Sequence, residues 1–203
     1  IFGADKYDSG SILFKDAPLT GNSKKRILKG FGLIPEDRRG QGFIPLLSIE
    51  KNIALTNYDH LSKNGVVHTR GEKKMGGEAV AKLDVRPNNP KLAVGNLSGG
   101  NAQKVVLGKW LMRDLSVLLV DEPTAGIDVG AKDEIYRLME ELAAQGVTVI
   151  MVSSDLQELL RVSHRILVFL KGQVFCEFCD GVVTQEDILM AASGIRPGSG
   201  DAS

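Results

Sequence analysis

The chain has 203 residues, 43% of them hydrophobic, and its 25 Lys+Arg are balanced by 25 Asp+Glu. That length suits one ordinary domain, or one with a subdomain, and the apolar fraction suffices for a core, which excludes general disorder. Zero net charge argues against a dedicated nucleic-acid binder or a polybasic membrane-surface protein. The clusters Lys24-Lys25-Arg26, Arg38-Arg39 and Lys73-Lys74 are each interrupted and read as solvated faces.

In chain order, Ile1-Phe2-Gly3-Ala4-Asp5 starts abruptly, without an initiator Met or a capped element. Ser11 to Phe14 reads as a short strand and Asp16-Ala17-Pro18 as a turn. Ser23 to Lys29 reads as a small helix closed by Gly30, and Phe31 to Ile34 as a buried strand halted by Pro35. Ser48 starts another helix. The polar stretch from Asn57 to Met75 has weak periodicity and reads as mostly exposed, with a helix expected over 77–83. Val117 to Val120 and Val147 to Val152 are continuous apolar runs of the kind buried on both faces of a parallel sheet. Between them Ile135, Leu138, Met139 and Leu142 follow a helical spacing that Gly146 stops, giving a βαβ unit. Arg165 to Leu170 and Val174 to Phe178 read as a hairpin turning at Gly172. Thr184 opens a last helix that ends at Gly194, and residues 196–203 read as a flexible tail.

No apolar run approaches the roughly 20 residues that span a bilayer, and no signal peptide opens the chain, so it reads as intracellular and soluble. Cys176 and Cys179 form a lone CxxC inside a strand, where small apolar packing explains them better than a redox pair or a zinc site. His60, His68 and His164 are scattered without metal spacing. Trp110 follows Val106 by four and reads as core.

Two patterns carry chemistry. The strand Val117–Val120 delivers Asp121-Glu122-Pro123 to its C-terminal end, where α/β sheets bind ligands. In nucleotide-hydrolysing proteins the first carboxylate of such a pair holds Mg²⁺ and the second polarises a water. An exposed turn explains Asp-Glu-Pro equally well by itself. Leu97-Ser98-Gly99-Gly100-Asn101 precedes a helix-like run from Ala102 to Met112. Its backbone N–H groups, hydroxyl and helix dipole are the ingredients of a phosphate site, although a Gly-rich turn with an ordinary Ser cap has the same look.

Together, in this order and spacing, these residues resemble the nucleotide-binding domain of ABC transporters. LSGGN at 97–101 is similar to the family signature, VLLVDEP at 117–123 to the Walker B strand, and Ala125-Gly126-Ile127-Asp128 to the D-loop. Pro35-Glu36-Asp37-Arg38-Arg39-Gly40 and Asn101 most resemble the second cassette of bacterial monosaccharide importers of the ribose, galactose and xylose type. The resemblance implies a P-loop NTPase-like α/β core, mainly a parallel sheet with flanking helices, over residues 1–195. It also implies a helical subdomain of about 47–112 carrying the signature and a small antiparallel β part at the N-terminus. It implies ATP and Mg²⁺ as ligands. Ser98, Gly99, Gly100 and Asn101 would serve ATP held by a second cassette, Asp121 would help hold Mg²⁺, Glu122 would be the general base, and Asp128 would sit at the cassette interface. The implied partners are that second cassette, a transmembrane sugar permease and, indirectly, a periplasmic sugar-binding protein. The implied location is the cytoplasmic face of the bacterial inner membrane, with no nucleic acid involved.

The departures from the family pattern carry weight too. The phosphate loop GxxxxGK[ST] does not occur; Gly71-Glu72-Lys73-Lys74-Met75-Gly76 has Gly77 where Lys is needed. The expectation is a cassette incomplete at its N-terminus that binds ATP weakly in isolation. The Q-loop position is Glu36 instead of Gln. The switch position, ordinarily His, is Ser154, which cannot accept a proton at neutral pH. Ser154-x-x-Gln157 reads most simply as a capping box. A catalytically degenerate cassette that only completes its partner's ATP site is therefore the alternative function.

Overall fold

The computed structural model describes residues 1–63, 65–179 and 183–196. The chain divides into two compact units, Ile1–Val152 and Ser153–Ser203, and the expected helical stretch 47–112 lies wholly inside the first.

The first unit opens with a two-stranded antiparallel hairpin, β1 (Leu13–Phe14) and β2 (Ala17–Pro18), turned by Lys15 and Asp16, both at positive φ. This is the small antiparallel part that the family resemblance implies. Helix α1 (Ser23–Ile27) is capped by Asn22, whose side chain accepts from the Lys25 amide at 3.3 Å. The chain leaves it through Gly30 at φ +88°, where a Cβ would stand 2.8 Å from the Asp114 carbonyl oxygen, so only glycine fits. Arg26 departs from the solvated-face reading: it is buried and donates to the carbonyls of Gly21 and Ile1, while Lys24 and Lys25 are exposed.

The sheet is parallel, in the order β3 (Phe31–Ile34), β6 (Val117–Asp121), β7 (Thr148–Val152), with Ile34 opposite Val120 and Asp121 opposite Val152. Burial runs through most of β6, where Val117, Leu118 and Val120 are buried and Leu119 is half-buried. Continuous burial does not hold for β7: Ile150 and Val152 are exposed, because one face of that strand is left uncovered and alternation replaces burial. Helix α6 (Val129–Ala144) buries Ile135, Tyr136, Met139 and Leu142 and stops before Gly146 at φ +87°.

The helical part contains α2 (Ile49–Ala54), α3 (Tyr58–Leu61), the short hairpin β4 (Ser62–Lys63) and β5 (Val66–Val67), α4 (Thr69–Lys82) and α5 (Gly99–Leu111). Ser48 caps α2 as the sequence suggests. The stretch 57–75 is a correction: α4 starts at Thr69, eight residues before the expected 77. Its glycines obscure the helical pattern, yet they shape its buried face of Glu72, Gly76, Ala79 and Val80. A Cβ on Gly76 would lie 2.6 Å from the Glu50 Cα, so the glycine lets α4 approach the backbone of α2. Helix α5 is buried from Ala102 through Trp110, which places Trp110 in the core as expected.

In the second unit α7 (Leu156–Val162) and α8 (Gln185–Ala192) pack on a hairpin of β8 (Arg165–Leu170) and β9 (Gln173–Cys179), around Ile166, Val168, Ile188 and Ala191. The hairpin turns at Lys171 and Gly172, both at positive φ. Thr184 and Asp187 form the capping box that opens α8. Cys176 packs against this core and Cys179 is exposed; neither forms a disulfide. The expected tail beyond Arg196 lies outside the described residues.

Candidate functional site: the signature end of α5

Ser98 sits in extended backbone and caps α5, its Oγ accepting from the Asn101 backbone at 3.5 Å and from Asn101 Nδ2 at 3.0 Å. The first N–H groups of a helix have no acceptor within it, so Gly99 and Gly100 present donors at the positive end of the dipole. The helix thus begins at Gly99 rather than Ala102. The glycines are needed for close approach. A Cβ on Gly100 would stand 2.6 Å from the Ala131 Cβ, and one on Gly99 3.2 Å from the Gly126 carbonyl oxygen. The signature therefore lies directly against the D-loop and the start of α6.

This packing brings Ser98, Gly100, Asn101 and Asp128 together along an open cleft of about 230 Å³. Arg86, Lys104 and Glu134 line the same cleft and were not singled out in the sequence. Lys104 is buried, donates to the Asp84 carbonyl at 3.0 Å and pairs with Glu134 at 2.6 Å, tying α5 to α6. Asn101 Oδ1 accepts from the Arg86 amide at 2.7 Å. The Arg86 side chain pairs with Asp84 at 2.9 Å, and this hydrogen bond holds the Asp84 carboxyl below its usual range. A sequence signal existed for Lys104: positions 98, 101 and 104 recur every three residues along one side of α5. Arg86 has none, since only folding carries it to Asn101.

Asp121 closes β6 and Glu122 follows it, both half-buried. The Glu122 amide continues the ladder by donating to the Val152 carbonyl at 2.9 Å, while its φ is +46°, a left-handed conformation uncommon for a side-chain-bearing residue. Such backbone strain clusters at functional sites. Glu36, exposed, leaves the adjacent strand β3 at the same sheet edge. Asp37 accepts from the Gly40 amide at 2.9 Å and shapes a π-type turn, Arg38–Gly42. Arg38 in this turn donates to the buried Gln103 of α5 at 3.4 Å, and burial, then Arg39, lowers its pKa from the ordinary guanidinium value.

Ser154 belongs to the second unit and is exposed. The capping-box expectation is corrected: Asp155 is the N-cap of α7, accepting from the Gln157 and Glu158 amides at 3.1 and 3.2 Å. The carboxylate one residue on reaches both first-turn donors, so the cap moves to it. Among the described residues no group of three or more His, Cys, Asp or Glu is arranged to hold a metal ion, and no helix is long and apolar enough to cross a membrane.

A parallel sheet delivering two carboxylates, beside a helix that presents a capped Ser-Gly-Gly start, defines an ATP-binding cassette fold. The dimeric structure of the bacterial ABC transporter cassette MJ0796 superimposes with a TM-score of 0.71 at 22% identity, over 86% of this chain and 75% of that one. A nucleotide-free cassette from an ABC transporter gives 0.75 at 20% identity, over 95% and 77%. The ABC transporter family model matches residues 1–125, and the chain belongs to that family. It is 42% identical over 193 residues to a ribose import ATP-binding protein, RbsA 1, of Streptomyces avermitilis, covering 95% of this chain and 37% of the relative. It is 44% identical over 196 residues to the xylose import ATP-binding protein XylG of Thermoanaerobacter pseudethanolicus, covering 96% and 39%. The chain thus spans about two fifths of the length of these curated relatives.

Proposed function

We propose that the chain is the second ATP-binding cassette of a sugar importer's motor, at the cytoplasmic face of the bacterial inner membrane. The observation that carries this reading is the gathering of Ser98, Gly100, Asn101 and Asp128 on one open cleft at the start of α5. Similarity to proteins named for ribose and xylose import supports the sugar.

The residues present fit a nucleotide that this chain shares with another cassette. The Gly99 and Gly100 amides and the Ser98 hydroxyl are donors suited to phosphate oxygens. Mg²⁺ characteristically takes one or two carboxylates and completes its shell with phosphate oxygens and water. Asp121, half-buried at the end of β6, would supply such a carboxylate. Bound Mg–ATP supplies the transferable γ-phosphoryl group and the cation that neutralises its charge. Glu122, held by its ladder hydrogen bond, orients the attacking water or takes its proton. Asp128 faces the partner cassette, and Glu36 takes the Q-loop position. The exposed Ile44 and Leu46 just beyond it offer an apolar contact for the permease, with a periplasmic sugar-binding protein on its far side.

The second reading, a degenerate cassette that completes only its partner's site, is favoured by Ser154, exposed and without an imidazole at the switch position. Steady-state ATP turnover of the full-length protein with Glu122→Gln separates the two. Loss of most turnover supports hydrolysis on this cassette; unchanged turnover supports the degenerate reading. The isolated 203-residue chain, lacking GxxxxGK[ST], is expected not to bind ATP tightly, and submicromolar affinity in a titration would contradict that.

A further inference from the structure

Lys109 is a lysine in the wrong kind of place. It lies on α5 with 6% of its surface exposed, donates to the Gly42 carbonyl, and has the Trp110 ring centroid 5.9 Å away. Among the described residues it has no ion-pair partner, and burial pushes its ammonium down to about 8. A buried ammonium with a single carbonyl acceptor costs stability that a methionine of similar length would not. A position where local stability is given up points to a role beyond packing.

Its acceptor shows what that role is. Gly42 closes the turn that follows Glu36, and the whole segment from Leu33 to Gly42 is fastened to one side of α5. Trp110 Nε1 donates to the Leu33 carbonyl at 2.7 Å, and Gln103 accepts from Arg38 at 3.4 Å. A Cβ on Gly42 would stand 3.1 Å from Val106 Cγ2, so the backbone there lies flat on the helix. Positions 103, 106, 109 and 110 are helical neighbours, so the fastenings share one face. Beyond Gly42 the chain is held again. The buried Asn52 accepts from the Ile44 amide at 2.7 Å and donates to the Ile44 carbonyl at 3.0 Å. Ile44 and Leu46 remain exposed.

We propose that Lys109 is a positioning residue that locks the segment 36–42 to the signature helix, so that a push on the exposed stretch 44–46 displaces Ser98 at the other end of α5. The inference rests on the proposed transport function for its consequence, but not for the tether itself. Lys109 lies ten helical steps from Gly99, roughly 15 Å along the helix, and the residues from Ala102 to Gly108 between them are buried.

The test uses the full-length protein with its permease in proteoliposomes, comparing Lys109→Met and Lys109→Arg with wild type. The readout is the ratio of permease-stimulated to basal ATP turnover. Lys109→Met should lower that ratio about fivefold or more, within the usual range of coupling between sites, with basal turnover within about twofold of wild type. Lys109→Arg, which keeps a donor for Gly42, should restore most of the ratio. An unchanged ratio in Lys109→Met, or stimulated and basal turnover falling in proportion, would overturn the proposal. Amide hydrogen exchange of residues 36–44 reads the tether independently of function. It should quicken in Lys109→Met and also in Arg38→Met, which cuts a second fastening should the first variant fold poorly. Unaltered exchange in both overturns the tether. Wild-type protein that hydrolyses no ATP would refute the proposed function instead, and exchange alone would then decide the tether.

Discussion

The two ends of α5 are built on opposite terms. At its start Ser98 is exposed, Gly99 and Gly100 carry no side chains, and the neighbouring cleft is open. At its far end the backbone and a neighbouring side chain are tied to the segment 56–59. The Lys109 carbonyl accepts from Thr56 Oγ1 at 2.8 Å and from Asn57 Nδ2 at 3.0 Å. Arg113, just past the helix, makes a two-pronged bond to Asp59 at 2.7 and 2.8 Å. The contrast has a physical reason. The first amides of a helix have no acceptor within it and stay open at the start, while Gly100 against Ala131 and the Lys104–Glu134 pair hold that end to α6 as Asp59 holds the other.

The largest effect is expected from filling the open end. Ser98→Arg in the full-length protein places a long cation where the helix offers its donors. It should cut sugar uptake by about 100-fold, the scale of losing a preorganised donor. Glu122→Gln should cost less if the partner's ATP site, served by this signature, carries most of the hydrolysis. Equal loss of uptake in both variants would count against that asymmetry.

Next comes the packing beneath the cleft. Gly100→Val forces atoms into the 2.6 Å gap toward Ala131, and should lower stability by about 1–3 kcal/mol, read from denaturant unfolding. A variant of wild-type stability would mean that α6 yields freely there, and that the glycine is kept for its ligand side alone.

The tied end predicts a smaller effect. Arg113→Met should cost about 1 kcal/mol, discounted because Asp59 is partly exposed and regains water. The hydrogen bond from Arg113 is the main reason the Asp59 carboxyl is lowered to about 2. A carboxyl depressed on folding contributes stability above its ordinary range and loses it as pH falls through the folded value. Acid unfolding followed between about pH 5 and 2 should therefore be shallower in Asp59→Asn than in wild type. Identical acid profiles would show that this ion pair does not hold the end of the helix.

A second helix start offers the mildest comparison. Asp155→Ala should cost about 1 kcal/mol as a lost cap, whereas Ser154→Ala should stay within about 0.5 kcal/mol. The reverse order in thermal melts would restore Ser154 as the cap. At this helix start the cap is Asp155, one residue beyond Ser154, whereas at α5 it is Ser98 itself.

Much of this protein was legible from neighbours in the chain. The apolar runs at 31–34 and 117–120, the stops at Gly30 and Gly146, the caps at Ser48 and Thr184, and the Ser-Gly-Gly start of α5 all depend on a few consecutive residues. Periodicity, capping and left-handed φ are local properties, so sequence alone determines them. What only the tertiary structure decided joins distant positions. Gly76 gains its reason only when Glu50 is found against it. Arg86 has no role until its amide meets Asn101. Lys109 meets its acceptor, the Gly42 carbonyl, only across 67 residues of chain. Such pairs form only when packing brings separate elements together, and the energy that selects them is spread over the whole core.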